Sequence, residues 1–415
     1  MRPLLIKSAA QLVCVSTTGE RVKCGPEMRN LDIIADGAVL ISDGRIEWVG
    51  PTSKLPPTAR EADVIDASGK TVLPGLVDSH THLIFAGTRE DEFEMRLEGV
   101  SYQEIAARGG GINATVRRVR AASKQQLIDL ALPRLDRMLA LGVTTTEAKS
   151  GYGLSLADEI KSLEAIADLS REHVCDVVPT FLGAHELPPE YRNDREAYLR
   201  LVIDQMIPEI TRRGLAEFCD VFCEQGVFSV FEGERVLHAA AEHGLKRKLH
   251  ADEFSPLGGA ELAARVGATS ADHLLHVTEK GIEGLLEAGT VATLLPGTAF
   301  FLGLPYAPAR RLIDAGLPVA LATDCNPGSS MTENLPLIGT MACTQMKMLP
   351  AEVITAVTLN AAAALARSDR IGSIEVGKQA DLVIFDVPNF KLIPYHFGAN
   401  HVWKVIKGGR VVVGT

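Results

Sequence analysis

Apolar runs recur through the middle of the chain at 73–82, 143–149, 174–183, 217–223, 245–251, 268–273, 290–295 and 317–323. Between most of them apolar residues return every three or four positions, as in "SKQQLIDLALPRLDRMLALG" and "PAEVITAVTLNAAAALAR", which is the helical period. Strand-then-helix alternation predicts parallel strands joined by right-handed crossovers. Eight such units close into an α/β fold, a (β/α)8 TIM-like barrel, which keeps its working residues at the C-terminal ends of its strands.

The two ends follow a different pattern. Residues 1–72 alternate over short strands, and "GAVLISDGRIEWVG" predicts a hairpin with Asp43-Gly44 at its turn. "GSIEVGKQADLVIFDV" and "HVWKVIKGGRVVVGT" have the same texture near the C-terminus. The simplest packing is a small composite β-sandwich built from 1–72 and 367–415, with the barrel, 73–366, inserted between them. The stretch 83–122 is long and glycine-rich ("ARGGGIN") and is read as a loop; a loop of that length in a compact domain is usually functional.

The 415 residues suit a barrel of about 250–300 residues plus a smaller domain. At 46% hydrophobic and 23% charged, the composition is that of a folded protein rather than a disordered one. A formal net charge of -10 argues against nucleic acid or an anionic membrane as partner, yet leaves a small anionic ligand open. No apolar run reaches the roughly 18 residues of a membrane span, and "MRPLLIKSAAQLVCVS" lacks a signal-peptide core and cleavage site. Seven cysteines without a CxxC pair fit a reducing compartment, so a cytoplasmic location is expected. Cys219 and Cys223 are read as strand packing.

Chemistry enters where the strands end. Side chains two apart on a strand share a face, so "VLPGLVDSHTHLIFAG" would hold His80 and His82 side by side. Charged imidazoles so placed would repel, whereas neutral ones fit around a metal cation; the competing reading is a strand edge that carries two histidines. The later strands end in Lys149 and Tyr152, His185, Glu224, His250 and Glu253, His273, and Asp324. Five of the eleven histidines thus fall on one predicted face, more than accident would place there. Three histidines and an aspartate make a shell for zinc or iron, and a carboxylate beside it, Glu253, can share in proton transfer. The bland alternatives are a solvated carboxylate for Glu253 and a core histidine for His273. Glu224 and Cys325 are read as structural.

These motifs carry a resemblance. "VLPGLVDSHTHL", the histidines closing the fifth and sixth strands, "ATDCNPGSS" and "GSIEVGKQADLVIFD" resemble the amidohydrolase superfamily. "HTHLIFAGTREDEF", "ARGGGI", "EAKSGYGL", "FLGAHE", "HADEF" and "TDCNPGSS" are similar to its imidazolonepropionase family. The resemblance implies one metal, zinc or iron, on His80, His82, His250 and Asp324. It implies a substrate pocket lined by Arg89, Tyr152, His185, Glu253, Asn326, Gly328 and Ser329; for ring opening by a metal-activated water, Asp324, Glu253 and His273 are assigned as the catalytic groups. The implied reaction is hydrolysis of the cyclic amide of 4-imidazolone-5-propanoate, a small-molecule substrate, to N-formimidoyl-L-glutamate. Arg89 would hold the propanoate, although its neighbours in "TREDEFE" offer a surface salt bridge as a rival role. Lys149 falls near the place of a bridging lysine in two-metal relatives, a role not carried over. The alternatives are a purine- or triazine-type aminohydrolase, which would release ammonia, and a catalytically inactive barrel acting as a binding protein. A homodimer is expected by analogy alone.

Overall fold

The N-terminal segment forms short strands, β1 (Leu4–Ala9), β2 (Gln11–Val13), β3 (Ile33–Ile34), β4 (Gly37–Ser42), β5 (Arg45–Pro51), β6 (Asp63–Asp66) and β7 (Thr71–Pro74). The structure is a computed structural model that describes residues 2–17, 19–100, 104–105 and 109–414. Asp43 and Gly44 join β4 to β5 with φ of 47° and 76°, the left-handed pair that a two-residue hairpin turn requires. The barrel strands follow: β8 (Leu76–Asp78), β9 (Val143–Lys149), β10 (Asp176–Ala184), β11 (Phe218–Cys223), β12 (Lys246–Ala251), β13 (Ser270–His273), β14 (Val291–Leu294) and β15 (Val319–Leu321). The C-terminus adds β16 (Leu382–Phe385), β17 (Val402–Lys407) and β18 (Arg410–Val413).

The sheets are β5-β4-β1-β6, β18-β17-β16-β7-β2-β3, and the eight barrel strands in sequential order. The second sheet mixes strands from both termini. Ile6, Val39 and Ile41 of the first sheet pack with Val72, Leu382, Ile384 and Ile406 of the second in one buried cluster, so the two sheets form a sandwich. The apolar run 73–82 is not one strand. Thr71–Pro74 pairs with β16 in the sandwich, and only Leu76–Asp78 enters the barrel beside β9. The break falls at Gly75, where a side chain would collide with Thr144.

The seam between β8 and β15 closes just beyond both strands. Thr81 bridges to Cys325, the His82 N–H donates to the Cys325 carbonyl at 3.0 Å, and the Asp324 N–H donates to the His80 carbonyl at 2.9 Å. Asp78 adds acceptors for the Thr323 N–H and hydroxyl at 3.0 and 2.6 Å. The backbone that carries His80, His82 and Asp324 therefore also shuts the barrel.

Two expectations change. The stretch 83–122 carries helices at Glu90–Leu97 and Ile112–Ala121 rather than an open loop; Ala107 and Arg108 of "ARGGGI" lie outside the described residues. "PAEVITAVTLNAAAALAR" divides into Pro350–Ala356 and Leu359–Ala364, because Thr358 between them has φ -127° and ψ -94°, outside the helical region. By contrast Lys124–Ala140 is one helix, started by a capping box between Ser123 and Gln126. Among the described residues no helix is long and apolar enough to cross a membrane.

Candidate metal centre and catalytic pocket

His80 and His82 stand in extended chain past β8, with ring centroids 5.5 Å apart. His250 comes from the end of β12, and its Nε2 lies 3.3 Å from Nε2 of His82. Asp324 follows β15. Its Oδ2 accepts from the Thr298 hydroxyl at 2.5 Å, and its Oδ1 lies 3.4 Å from His80 Nε2 and 3.5 Å from His82 Nε2. His80 Nε2 and Asp324 Oδ1 are buried without a hydrogen-bond partner among the described residues, a costly state unless something else satisfies them. Donor atoms of His80, His82 and His250 fall within 4.8 Å of one another, as do those of His80, His273 and Asp324. Burial pushes His80 and His82 well below the ordinary imidazole value, leaving them in the neutral state that ligates. Burial lifts Asp324 to about 6 against the hydrogen bond from Thr298, and a cation at that point would hold it ionised. The donor set fits one divalent cation with mixed nitrogen and oxygen ligands.

Beneath these candidate ligands lies a layer that sequence reading did not find. Asp272 Oδ2 meets His80 Nδ1 at 2.6 Å, and Asp220 Oδ2 meets His250 Nδ1 at 3.0 Å. The His80 hydrogen bond fixes the tautomer that leaves its Nε2 free, and the Asp220 carboxylate beside His250 Nδ1 favours the same tautomer there. Lys149 Nζ binds Asp220 at 2.7 Å and Glu147 at 2.8 Å. Lys248 Nζ binds Glu147 at 3.0 Å and the Ser79 carbonyl at 2.7 Å. All five charged side chains are fully buried inside the barrel. Burial alone would discharge Lys149, but Asp220, Glu147 and Asp272 together raise it above its ordinary value. Lys149 is thus committed below the site and does not line the cavity. The signal was present as Glu147 and Lys149, and Lys248 and His250, charged or polar pairs two apart on apolar strands.

Asp272→Asn is expected to weaken metal affinity by roughly 10–100-fold, the usual effect of losing a ligand's carboxylate partner. Chelator competition measures it; unchanged affinity would mean that the candidate ligands alone set the seat.

Above the seat opens a cavity of about 590 Å³, lined by His82, His250, Asp324, His273 and Glu253, and by Arg89, Tyr152, His185, Asn326, Gly328 and Ser329. His80 is fully buried. Cys325, also buried, does not reach the cavity. His185 stacks on His82 at 5.0 Å and 20°, and its Nδ1 meets the Gly151 carbonyl at 2.9 Å. Burial takes it down to about 3, so the ring is neutral, with Nδ1–H donating and Nε2 left as an acceptor. Asn326 spends its amide on its own loop: Oδ1 accepts from the Gly328 and Ser329 N–H groups, each at 2.8 Å, and Nδ2 donates to the Asp324 carbonyl at 2.7 Å. It shapes the wall rather than offering free donors.

Glu253 Oε2 lies 3.5 Å from His273 Nε2. Burial, then Asp324 and Glu224, raise Glu253 well above the ordinary carboxylate value. Glu224 does more than pack: it accepts from the Phe254 N–H at 2.8 Å, the Gln225 N–H at 2.7 Å and the Ser255 hydroxyl, anchoring the loop that presents Glu253. Arg89 makes the rival contact as well as lining the pocket: its Nε and Nη2 donate to Glu92 Oε2 at 2.9 and 2.6 Å. The Arg89 guanidinium packs against Gly328 where a larger residue's side chain would stand. Asp324 and His273 hold φ of 52° and 79°, local strain of the kind that concentrates at functional sites.

The amidohydrolase family model matches residues 71–412. An imidazolonepropionase of Geobacillus kaustophilus is 55% identical over 417 residues, covering 100% of this chain and 98% of its own. One from Brevibacillus brevis is 51% identical over 416 residues, 99% and 98% of the two chains. Among solved structures, Escherichia coli guanine deaminase superposes with a TM-score of 0.75 at 17% identity over 99% of each chain. A zinc-bound adenosine deaminase from Xanthomonas campestris gives 0.71 at 21% identity, covering 98% of this chain and 92% of that one; at such identities the likeness is one of fold. On the family match and on relatives above half identity along the whole length, the chain belongs to the amidohydrolase family and, within it, to the hydrolases called imidazolonepropionases.

Proposed function

We propose that the pocket opens the ring of 4-imidazolone-5-propanoate at its cyclic amide C–N bond to give N-formimidoyl-L-glutamate, with zinc or iron held by His80, His82, His250 and Asp324. The observation that carries this reading is the seat of three imidazoles, two of them (His80 and His82) held neutral by burial, and one carboxylate at the floor of a cavity with an arginine in its wall. A cation bound there supplies Lewis acidity and brings a water's pKa down toward neutrality.

The chain's own groups do the rest. Glu253 accepts a proton from the attacking water and returns it to the departing ring nitrogen, so that water adds across the C–N bond and no proton is lost. Its raised affinity for protons suits both halves of that task. Asp324 is the second acceptor. Neutral His273 donates one N–H toward the oxygen that becomes negative. Tyr152 and His185 orient the ring by hydrogen bonds. Arg89, held in place by Glu92, turns its remaining Nη1 to the propanoate. The seven free cysteines support a reducing compartment, the cytoplasm, as the place of work. A homodimer is the assembly to test by light scattering.

The test mixes metal-loaded protein with imidazolone propanoate and follows loss of the ring's ultraviolet absorbance. Disappearance of the ring without ammonia supports the reading; ammonia release, or no change, overturns it. Arg89→Met is expected to lower kcat/KM by about two orders of magnitude, the size of losing charge-assisted hydrogen bonds that direct the carboxylate, about 1.5–3 kcal/mol. Metal content stays the same, and an armless ring analogue reacts equally with both proteins. If both substrates suffer alike, Arg89 serves only its bond to Glu92.

A further inference from the structure

The Arg89 guanidinium already has a counter-charge. Glu92 takes two of its N–H groups with side chains only 8% and 12% exposed, and Glu92 Oε1 also accepts from the Gly111 N–H at 3.1 Å. A carboxylate arriving at Arg89 therefore meets a pair that is neutral overall, with a negative charge on its far side. Arg89 can orient the arm by hydrogen bonds, but it brings no net charge to it.

One helical turn beyond Glu92 stands a second arginine of the same cavity wall, Arg96. Its Nη1 donates to the Gly328 carbonyl at 2.9 Å, and its guanidinium lies 5.1 Å from the ring centroid of Phe301. No carboxylate among the described residues comes within ion-pairing distance of it. Gly328 joins the two arginines: Arg96 bonds its carbonyl, and Arg89 packs where its side chain would be. Burial and then the like charge of Arg89 depress Arg96, with Glu92 one turn away offsetting only part of it, and an anion between the two arginines would offset more of that repulsion.

We propose that Arg96 supplies the net positive charge that binds the substrate's propanoate, with Arg89 fixing its direction, so that the two guanidiniums form one carboxylate subsite at Gly328. This rests on the reading of the substrate as a ring with a carboxylate arm. The division of labour follows from charge: a guanidinium paired with Glu92 offers geometry, and one without a carboxylate partner offers attraction.

The experiment compares wild-type protein with Arg96→Met and Arg96→Lys, each loaded with metal and checked for an unchanged melting temperature. The probes are imidazolone propanoate as substrate, and 3-(imidazol-4-yl)propanoate and 4-methylimidazole as inhibitors with and without the arm. Arg96→Met is expected to raise KM about 10–100-fold with kcat within about threefold, and to weaken the armed inhibitor by the same factor. The armless inhibitor binds as before. Arg96→Lys recovers most of the armed affinity, because it keeps the charge. Equal weakening of both inhibitors would make Arg96 a tether for the Gly328 loop, and an unchanged KM would remove it from the subsite; either overturns the proposal. If Arg96→Met does not keep the wild-type melting temperature, Arg96→Lys decides alone: armed affinity lost with the armless intact overturns it. Failure of the substrate reading is seen separately, as wild-type protein that neither consumes imidazolone propanoate nor prefers the armed inhibitor.

Discussion

With His80 and His82 both changed to alanine, the purified protein carries no transition metal and its hydrolysis falls by roughly 10³-fold or more, the worth of several kcal/mol of lost Lewis-acid assistance. The fold survives for reasons visible in the barrel. The seam bonds made by positions 80 and 82 are backbone bonds, Asp324 N–H to the 80 carbonyl and the 82 N–H to the Cys325 carbonyl, and alanine keeps both. Asp272 loses His80 but retains Lys248 at 3.7 Å and Lys149 at 3.9 Å, so no buried charge is stranded. The variant should melt somewhat below the metal-loaded wild type, since a ligand that binds only the folded state stabilises it, and close to the chelated wild type. Elemental analysis, activity and melting of the three samples make the comparison. Active wild-type protein without metal would remove the mechanism; a variant that fails to fold would show that the imidazoles hold the seam themselves.

Glu253→Gln is expected to cost roughly 10²–10⁴ in kcat, the usual worth of a general base, while metal content and KM stay close to wild type. The amide keeps the shape and can still face His273 and a ring nitrogen. A pH profile separates a base from a positioning group. Burial, Asp324 and Glu224 raise Glu253 above the ordinary carboxylate value; a cation on Asp324 pulls it part of the way back. A base works only deprotonated, so wild-type kcat/KM rises with pH through that displaced value, and the variant lacks the rise. Near-normal turnover with the limb intact would assign the proton to Asp324 alone.

The residue pattern makes some of this architecture plain and hides the rest. Eight strand-like runs alternating with helical stretches sufficed for the barrel, because most of each strand is buried on both faces. The hairpin at Asp43-Gly44 was legible because few residues adopt its two left-handed positions. The run 73–82 misled for the same kind of reason: Pro74 and Leu76 are both buried, and no local signal distinguishes the sandwich from the barrel. Gly75 marks the change only because Thr144, nearly seventy residues away, stands against it. Part of residues 83–122 read as a loop because Glu90–Leu97 buries none of its side chains fully and so shows no apolar stripe; Ile112–Ala121 does bury one face, behind the glycines that precede it.

By itself the sequence singled out the candidates for chemistry here, His80, His82, His250, His273, Glu253 and Asp324, each at or just past the end of a strand-like run. Only the tertiary structure decided what state those groups are in. Whether an imidazole is neutral, which nitrogen it presents and whether a guanidinium is already paired depend on neighbours from other strands. Asp272 reaches His80 across 192 positions of chain and Asp220 and Lys149 meet across 71, and an electrostatic field acts through space, where a pattern along the chain has no purchase.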